Sequence, residues 1–265
     1  MLESFLISIG LFVGLLIGLA LGRRIGRRLG ATKEDVGTGA AEGVVFAVFG
    51  LVVAFTFSAS ASRFNERRQL IVDQANALGT VNLRLDALDA DDRTVIRQKM
   101  LQWVQLAQNL SASAGDETAR NAAIAQASQL QTDVWHLAAA AVEKKQQPAL
   151  WAFVMSPIND WSDLSSTRQA MDNLGAPPMV MPTLMMMSLV ASLLAGFHMS
   201  RYSRQSLLHS IAFAGVIAFV IFVIFDLNHP RSGLIQLRSV DQSMAQAEQS
   251  IRSALAQPGA TNASP

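Results

Sequence analysis

The sequence predicts an all-α membrane protein with four transmembrane helices and a helical extramembrane domain between the second and the third. Hydrophobic residues make up 51% of the chain and charged residues only 15%, whereas about a quarter of the residues in ordinary globular chains are charged. The apolar residues are concentrated in four runs, each long enough to cross about 30 Å of hydrocarbon as a helix. No segment between the runs alternates polar and apolar residues, so no sheet is expected.

The four runs divide the chain into a predicted order of segments. The apolar runs are residues 4–22, 41–62, 179–199 and 206–226. Residues 1–62 therefore form a first transmembrane helix pair, and residues 179–226 form a second pair. Residues 63–178 form the helical extramembrane domain, and residues 227–265 form a C-terminal tail whose polar end is expected to be disordered.

Basic residues near the ends of the runs predict the orientation. The segment 23–40 carries four arginines and one lysine, and the loop 200–205 carries two further arginines. Because cytoplasmic loops are enriched in arginine and lysine, these two loops are expected inside. The N-terminus, the middle domain and the C-terminus are then outside, although the arginines that follow the second run oppose this orientation. The first run lacks a basic segment before it, which indicates an uncleaved anchor.

The middle domain has helical spacing throughout. Apolar residues recur at helical intervals over 93–113, and residues 118–147 form a second predicted helix rich in alanine and glutamine. Pro148 is expected to open a third helix, which Pro157 is expected to interrupt because proline lacks an amide hydrogen. The segment 175–178 contains a glycine and two prolines, which break the chain before the third run.

Glycines recur every fourth residue in the first run, at positions that include Gly10, Gly14, Gly18 and Gly22. Glycines at this spacing lie on one face of a helix and admit another backbone closely. The pattern predicts tight helix packing. It leaves open whether the partner is the second run of the same chain, with its own small residues, or another copy of the protein.

The second run continues without a stop signal into the polar domain, which predicts one helix from about Gly43 to Asp86. Its last membrane turns are rich in hydroxyl groups, among them Ser58 and Ser62. These residues are compatible with a water-lined conduit, or alternatively with close helix packing in which hydroxyls bond back to the backbone. Arg63, Glu66 and Arg67 follow. They could form a charged mouth around an axis, or anchor the helix at the headgroups.

Residue types that carry chemistry are sparse. The chain has no cysteine and only four scattered histidines, and the acidic segment 85–93 lacks the glycine and final glutamate of a calcium loop. No phosphate-binding loop or nucleophile elbow is present. We therefore expect no cofactor, no metal, no nucleic-acid partner and no enzymatic activity. After the fourth run, a turn is predicted from a group of four residues: Asp226, Pro230, Arg231 and Gly233.

Two segments, GLVVAFTFSASASRFNERRQLIVDQANALGTVNLRLDAL (50–88) and IFDLNHPRSGLIQL (224–237), resemble the bacterial family of bestrophin-like membrane proteins. The resemblance extends over nearly the whole chain. Bestrophins themselves are pentameric anion channels whose second membrane helix carries an apolar neck ahead of an arginine. Matching on Arg63 places the neck at Ala47, Leu51 and Phe55.

The resemblance implies a homo-oligomer, a pentamer by analogy, in the inner membrane of a bacterium. It implies a channel-like protein for small anions. The alternative from the sequence is a non-conducting scaffold or envelope sensor, in which the long second helix transmits the state of the helical domain to the membrane.

Overall fold

The computed structural model describes residues 2–29, 36–112, 117–173, 177–200, 207–228 and 238–256, and their regular structure is helical. In chain order the helices are α1 (Leu2–Arg28), α2 (Val36–Arg84), α3 (Ala90–Ala112), α4 (Glu117–Lys145), α5 (Pro148–Asn173), α6 (Val180–Met199), α7 (Leu207–Asn228) and α8 (Arg238–Ala256). A short 3-10 turn, Leu85–Ala87, follows α2. The all-α prediction is confirmed.

Four helices are long and apolar enough to cross a membrane, and they are α1, α2, α6 and α7. This confirms the four predicted spans. The second helix is continuous over 49 residues, as predicted, and begins several residues earlier than the sequence pattern indicated. Its length follows from the absence of any proline or helix-stopping glycine between the apolar run and the polar domain.

The chain divides into two compact units. Unit 1 comprises Met1–Phe64 and Gly175–Gln236, and unit 2 comprises Asn65–Leu174 and Leu237–Pro265. Helix α2 therefore contributes its apolar part to unit 1 and its polar part to unit 2. Residues 227–265 were expected to be a tail, but α8 belongs to the core of unit 2. Its Met244, Ala247 and Ile251 recur at helical spacing and are buried there.

The core of unit 1 is formed by α1 and α7, with α6 packed against both. Every fourth residue of α1, Leu11, Leu15 and Leu19, is buried against Ala214, Ala218 and Ile221 of α7. The glycines of α1 lie on another face, which packs against α6.

The glycines at every fourth residue of α1 form what we call the glycine ladder, and the fit between α1 and α6 becomes closer along it. A Cβ atom would have no neighbour within 4 Å at Gly10, and at Gly14 it would meet only the Leu189 side chain at 3.2 Å. At Gly22 it would lie 2.9 Å from the Leu193 carbonyl carbon and 2.8 Å from the Phe197 backbone nitrogen. Gly18 faces Ser192 in the same interface. The partner of the ladder is thus α6, and not α2, whose glycines Gly43 and Gly50 have open space beside them.

The core of unit 2 combines α3, α4, α5 and α8 with the polar half of α2. At its centre the rings of Trp103 and Trp161 meet edge to face, with 5.0 Å between their centroids. Both tryptophans are buried, together with Leu78, Met100 and Val134. Each such side chain contributes roughly 1.5–3 kcal/mol through burial, so this core dominates the stability of the unit.

Charged residues tie α8 and the α2–α3 junction to this core. The buried Arg97 donates to Asn82 Oδ1 at 2.8 Å and to Asp86 Oδ1 at 2.8 Å. On α8, Glu248 accepts hydrogen bonds from Arg252 at 2.7 Å and from Gln108 of α3 at 3.0 Å. The Arg252 contact, supported by Gln108, holds the pKa of Glu248 below its ordinary value of 4.5 although partial burial opposes this.

Pro157 does not interrupt α5, contrary to the sequence prediction, because the backbone group that it leaves unpaired finds another donor. In a helix, residue 157 would donate its amide hydrogen to the carbonyl oxygen of Phe153, and proline cannot do so. The Arg84 guanidinium donates to that carbonyl oxygen at 2.9 Å. Its Cζ also lies 4.8 Å from the centre of the Phe153 ring. The end of α2 thus compensates the missing helix bond of α5.

Candidate functional site along the membrane part of α2

The predicted neck and conduit residues form a stripe on α2, and we call Ala47, Leu51, Phe55, Ser58 and Ser62 the α2 stripe. All five are exposed in the single chain, with 55% of Leu51 and 66% of Phe55 accessible. At 3.6 residues per turn they lie on one side of the helix. The buried residues of this span lie on the other side, so the described part of unit 1 leaves the stripe uncovered.

Helix α2 is the least packed of the four spans. Only 11% of its membrane window is buried, against 22–28% in α1, α6 and α7. The apolar core of unit 1 is formed by residues of these other three helices. On α2 the buried residues of the span are Glu42, Phe49 and Ser60, of which two are polar. Polar contacts near its two ends therefore contribute much of its attachment to the rest of unit 1.

The first of these end contacts joins Glu42 to His198 of α6. The Glu42 carboxylate is buried and lies 3.0 Å from Nδ1 of His198. Neither residue belongs to the site predicted from the sequence, where His198 is one of four scattered histidines and Glu42 is part of no motif. A signal was present, because Glu42 is the one charged residue of the apolar run 41–62 and ionisable groups at such positions generally face a partner.

The second end contact joins Ser60 and Arg63 to Asn228 at the end of α7. The Arg63 Nη2 donates to Asn228 Oδ1 at 3.1 Å and to Ser60 Oγ at 3.2 Å. The Asn228 Nδ2 donates to the same Ser60 Oγ at 3.0 Å and to the Ile224 carbonyl oxygen at 2.8 Å. Arg63, predicted at the mouth, is half-buried in this network and does not share the exposure of the stripe.

The hydroxyl-bearing residues of α2 differ in their surroundings, and some fit the packing interpretation of the sequence whereas others are exposed. Thr56 donates to the Val52 carbonyl oxygen one turn earlier at 2.7 Å, which is backbone bonding of the packing type. Ser60 is fully buried in the network with Arg63 and Asn228. Ser58 and Ser62 lie on the exposed stripe. Of these four hydroxyl-bearing residues, only Ser58 and Ser62 are exposed.

The other two predicted mouth residues belong to unit 2. Arg67 is buried there and its Nη2 lies 3.4 Å from the carbonyl oxygen of Met171, whereas Glu66 is exposed. Arg67 is therefore packed against the helical core of unit 2, to which the polar half of α2 belongs.

The predicted turn after the fourth run is described only at its first residue. Asp226 is buried near the end of α7. Pro230, Arg231 and Gly233 lie outside the described residues.

The acidic segment after α2 is engaged in ion pairs of unit 2. Asp89 pairs with Lys145 at 2.5 Å, and Asp92 pairs with Lys144 at 2.8 Å. Among the residues that the structure describes, no group of three or more His, Cys, Asp or Glu side chains could hold a metal ion. The carboxylates of this segment are thus arranged as a charged surface between α3 and α4.

These features define a multi-span α-helical membrane protein whose second span leaves one face uncovered. A family model, the Bestrophin-like domain, matches residues 9–241. The chain therefore belongs to the bestrophin-like family. The match includes most of the first span, the other three spans and the helices between them, and it ends at residue 241, near the start of α8.

Solved structures share this fold. A bacterial bestrophin homolog from Klebsiella pneumoniae, carrying a point mutation, has a TM-score of 0.73 at 13% identity, covering 94% of this chain and 99% of that one. The Klebsiella homolog solved by zinc phasing has a TM-score of 0.68 at 12% identity, covering 92% and 98%. A mutant described only as a membrane protein has a TM-score of 0.71 at 13% identity, covering 98% and 99%. At such identities the likeness is one of fold alone, and no curated protein matches the chain by sequence.

Proposed function

We propose that the protein is an oligomeric membrane channel for small anions, with the α2 stripe lining its axis. The observation that carries this proposal is the uncovered face of α2, which the other three spans do not pack against. Copies of the chain arranged around an axis would cover this face without any rearrangement of unit 1. The family resemblance implies a pentamer, and the mass of the solubilised complex measures the number of copies.

The residues along the stripe suit such a pore. Leu51 and Phe55 would form an apolar constriction, and apolar constrictions gate channels by excluding water. Ser58 and Ser62 would follow with hydroxyl groups that can contact a hydrated ion. Arg63 lies close behind them, and its partners Ser60 and Asn228 are neutral, so these contacts position the guanidinium without cancelling its charge. A ring of such charges raises the local concentration of anions.

The test is ion flux into vesicles that contain the purified protein. Phe55→Ala removes the largest side chain of the stripe and is expected to increase flux. Phe219→Ala is the matched control, because Phe219 of α7 is 64% exposed, close to the 66% of Phe55, but lies on another span. No flux above empty vesicles in the parent and in Phe55→Ala, or an equal effect of both substitutions, would contradict the channel.

The second candidate is a non-conducting scaffold or sensor, and two observations favour it. Helix α2 is shared between the two units, so one continuous helix connects the membrane spans to the helical domain. Arg63 is tied to α7 and Thr56 bonds back to its own helix, as expected of a packed span. In this case Arg63→Glu would lower stability and leave the vesicles without ion flux. In a channel the same change shifts the preference from anions towards cations.

We place the protein in the inner membrane of a bacterium, with the N-terminus, the helical domain and the C-terminus outside. The support is the excess of arginine and lysine in the segments 23–40 and 200–205.

A further inference from the structure

One face of α1 carries four arginines at the end of its apolar run. Arg23, Arg24, Arg27 and Arg28, which we call the arginine stripe, line a single open concavity together with Ala20. At 100° per residue they occupy roughly 140° of the helix circumference. This arc lies opposite Gly18, Gly22 and Gly26, whose side packs against α6. The arginine stripe therefore points away from the rest of unit 1.

The charge of the arginine stripe has no acidic partner among the described residues. None of the ion pairs between described residues includes one of the four arginines. Among the described residues, the stripe makes one side-chain hydrogen bond, from Arg23 Nε to the Leu19 carbonyl oxygen at 3.2 Å, and this bond leaves the terminal nitrogens of that guanidinium available. Arg24, Arg27 and Arg28 are exposed.

An apolar track leads away from the arginine stripe on the same side of α1. Ile9, Val13 and Ile17 recur every fourth residue and are 44–53% exposed, and Ala20 continues their line to the arginines. From Arg23 to Arg28 the helix rises about 7.5 Å. This rise matches the depth of one headgroup layer, roughly 5–7.5 Å from the difference between total and hydrocarbon bilayer thickness.

We propose that the arginine stripe and this apolar track bind an anionic phospholipid. The phosphate would accept paired hydrogen bonds from two guanidiniums, a geometry that arginine offers and lysine does not. One acyl chain would lie along Ile17, Val13 and Ile9. The apolar track favours a lipid over a soluble phosphate, because only the lipid has an acyl chain that can pack along the track. The site is independent of whether the protein conducts ions.

The simpler alternative is that the arginines only orient the helix, as basic residues do at the cytoplasmic end of any transmembrane helix. Such attraction is diffuse and depends on charge alone, so lysine would replace arginine without loss. A site that binds a phosphate through paired hydrogen bonds requires arginine and is weakened by lysine. The shape of the concavity offers a second distinction, since Ala20 leaves the space between the arginines that a large side chain would fill.

The experiment counts lipids retained by the solubilised full-length protein in native mass spectrometry, with phosphatidylglycerol and phosphatidylcholine of identical chains. The parent is expected to retain phosphatidylglycerol in preference. In R24Q/R28Q the affinity for phosphatidylglycerol is expected to fall about fivefold for each arginine removed. R24K/R28K is expected to lose part of the affinity for phosphatidylglycerol. Ala20→Phe is expected to lose this affinity although all four arginine charges remain. R68Q, at an exposed arginine of unit 2, is the control and is expected to match the parent.

Four results would overturn the proposal. Equal retention of phosphatidylglycerol by the parent, R24Q/R28Q and Ala20→Phe would show that no site exists at this face. Full replacement of arginine by lysine would show diffuse attraction only. Displacement of the lipid by excess inorganic phosphate, with Ala20→Phe unaffected, would show a site for a soluble anion. The same spectra report the number of copies, so a loss of assembly in R24Q/R28Q would assign the face to a neighbouring copy instead.

Discussion

The contact between Arg84 and the Phe153 carbonyl oxygen predicts that Arg84 matters to stability because of Pro157. A hydrogen bond to a charged donor contributes about 1.5–3 kcal/mol when it is protected from water. Here Phe153 is 46% exposed and its hydrogen bond with Arg84 lies at the surface, so water can partly replace the guanidinium and the lower end of the range applies. The position of Arg84 over the ring adds about 0.5–1 kcal/mol at an exposed site. Arg84→Ala is therefore expected to cost about 2 kcal/mol.

Pro157→Ala provides the background in which this cost should shrink. Alanine restores the amide hydrogen, which then donates to the Phe153 carbonyl oxygen within the helix. Arg84→Ala in that background loses the ring contact alone. A double-mutant cycle should therefore give a coupling free energy of about 1 kcal/mol between Arg84 and Pro157, although the two side chains need not contact each other.

Tryptophan fluorescence measures this prediction in the intact protein. The four tryptophans of the chain lie between residues 103 and 161, all in unit 2, so their emission during denaturant unfolding reports this unit. The free energies of unfolding of the parent, both single variants and the double variant complete the cycle. If the two substitutions are additive within about 0.3–0.5 kcal/mol, the usual scatter for independent sites, then Arg84 does not compensate the missing bond and the reasoning fails.

Four further predictions concern other parts of the molecule. Gly22→Ala should destabilise the solubilised protein by about 1–3 kcal/mol, because the added Cβ would meet the backbone of α6. Gly10→Ala should not destabilise the protein, because the space beside Gly10 is open. Equal thermal stability of the two variants would argue against this interface. Asn228→Ala should cost about 1–3 kcal/mol by removing the acceptor of Arg63, and a melting temperature equal to the parent's would contradict this. The lowered pKa of Glu248 stabilises unit 2 above pH 4.5, its ordinary value, and this contribution is lost as pH falls through the folded-state pKa; Glu248→Gln should flatten that part of the stability profile, and an unchanged profile speaks against it. A reporter active only in the cytoplasm, inserted between α3 and α4, should be silent, and activity there would reverse the proposed orientation.

Local and additive properties of the sequence were sufficient to predict much of the fold. Hydropathy summed over about 20 residues identified the four spans, because each residue contributes to membrane transfer without regard to its distant neighbours. The continuity of α2 followed in the same way from the absence of a stop signal. The glycine ladder correctly indicated a face of close approach at Gly18 and Gly22, because the missing side chains are a property of α1 itself.

Properties that depend on a distant segment were decided only by the tertiary structure. The ladder needs a partner with a matching surface, and α6 supplies it where the sequence offered α2 or another copy. Residues 238–256 became a core helix because unit 2 has an apolar surface for their apolar face. Arg63 is engaged with Asn228, 165 positions away, and Pro157 is tolerated because Arg84 lies beside Phe153. Each of these outcomes depends on which two segments meet. The pattern of one segment predicts which of its faces are exposed and which are buried. It does not predict which distant segment will cover the buried faces.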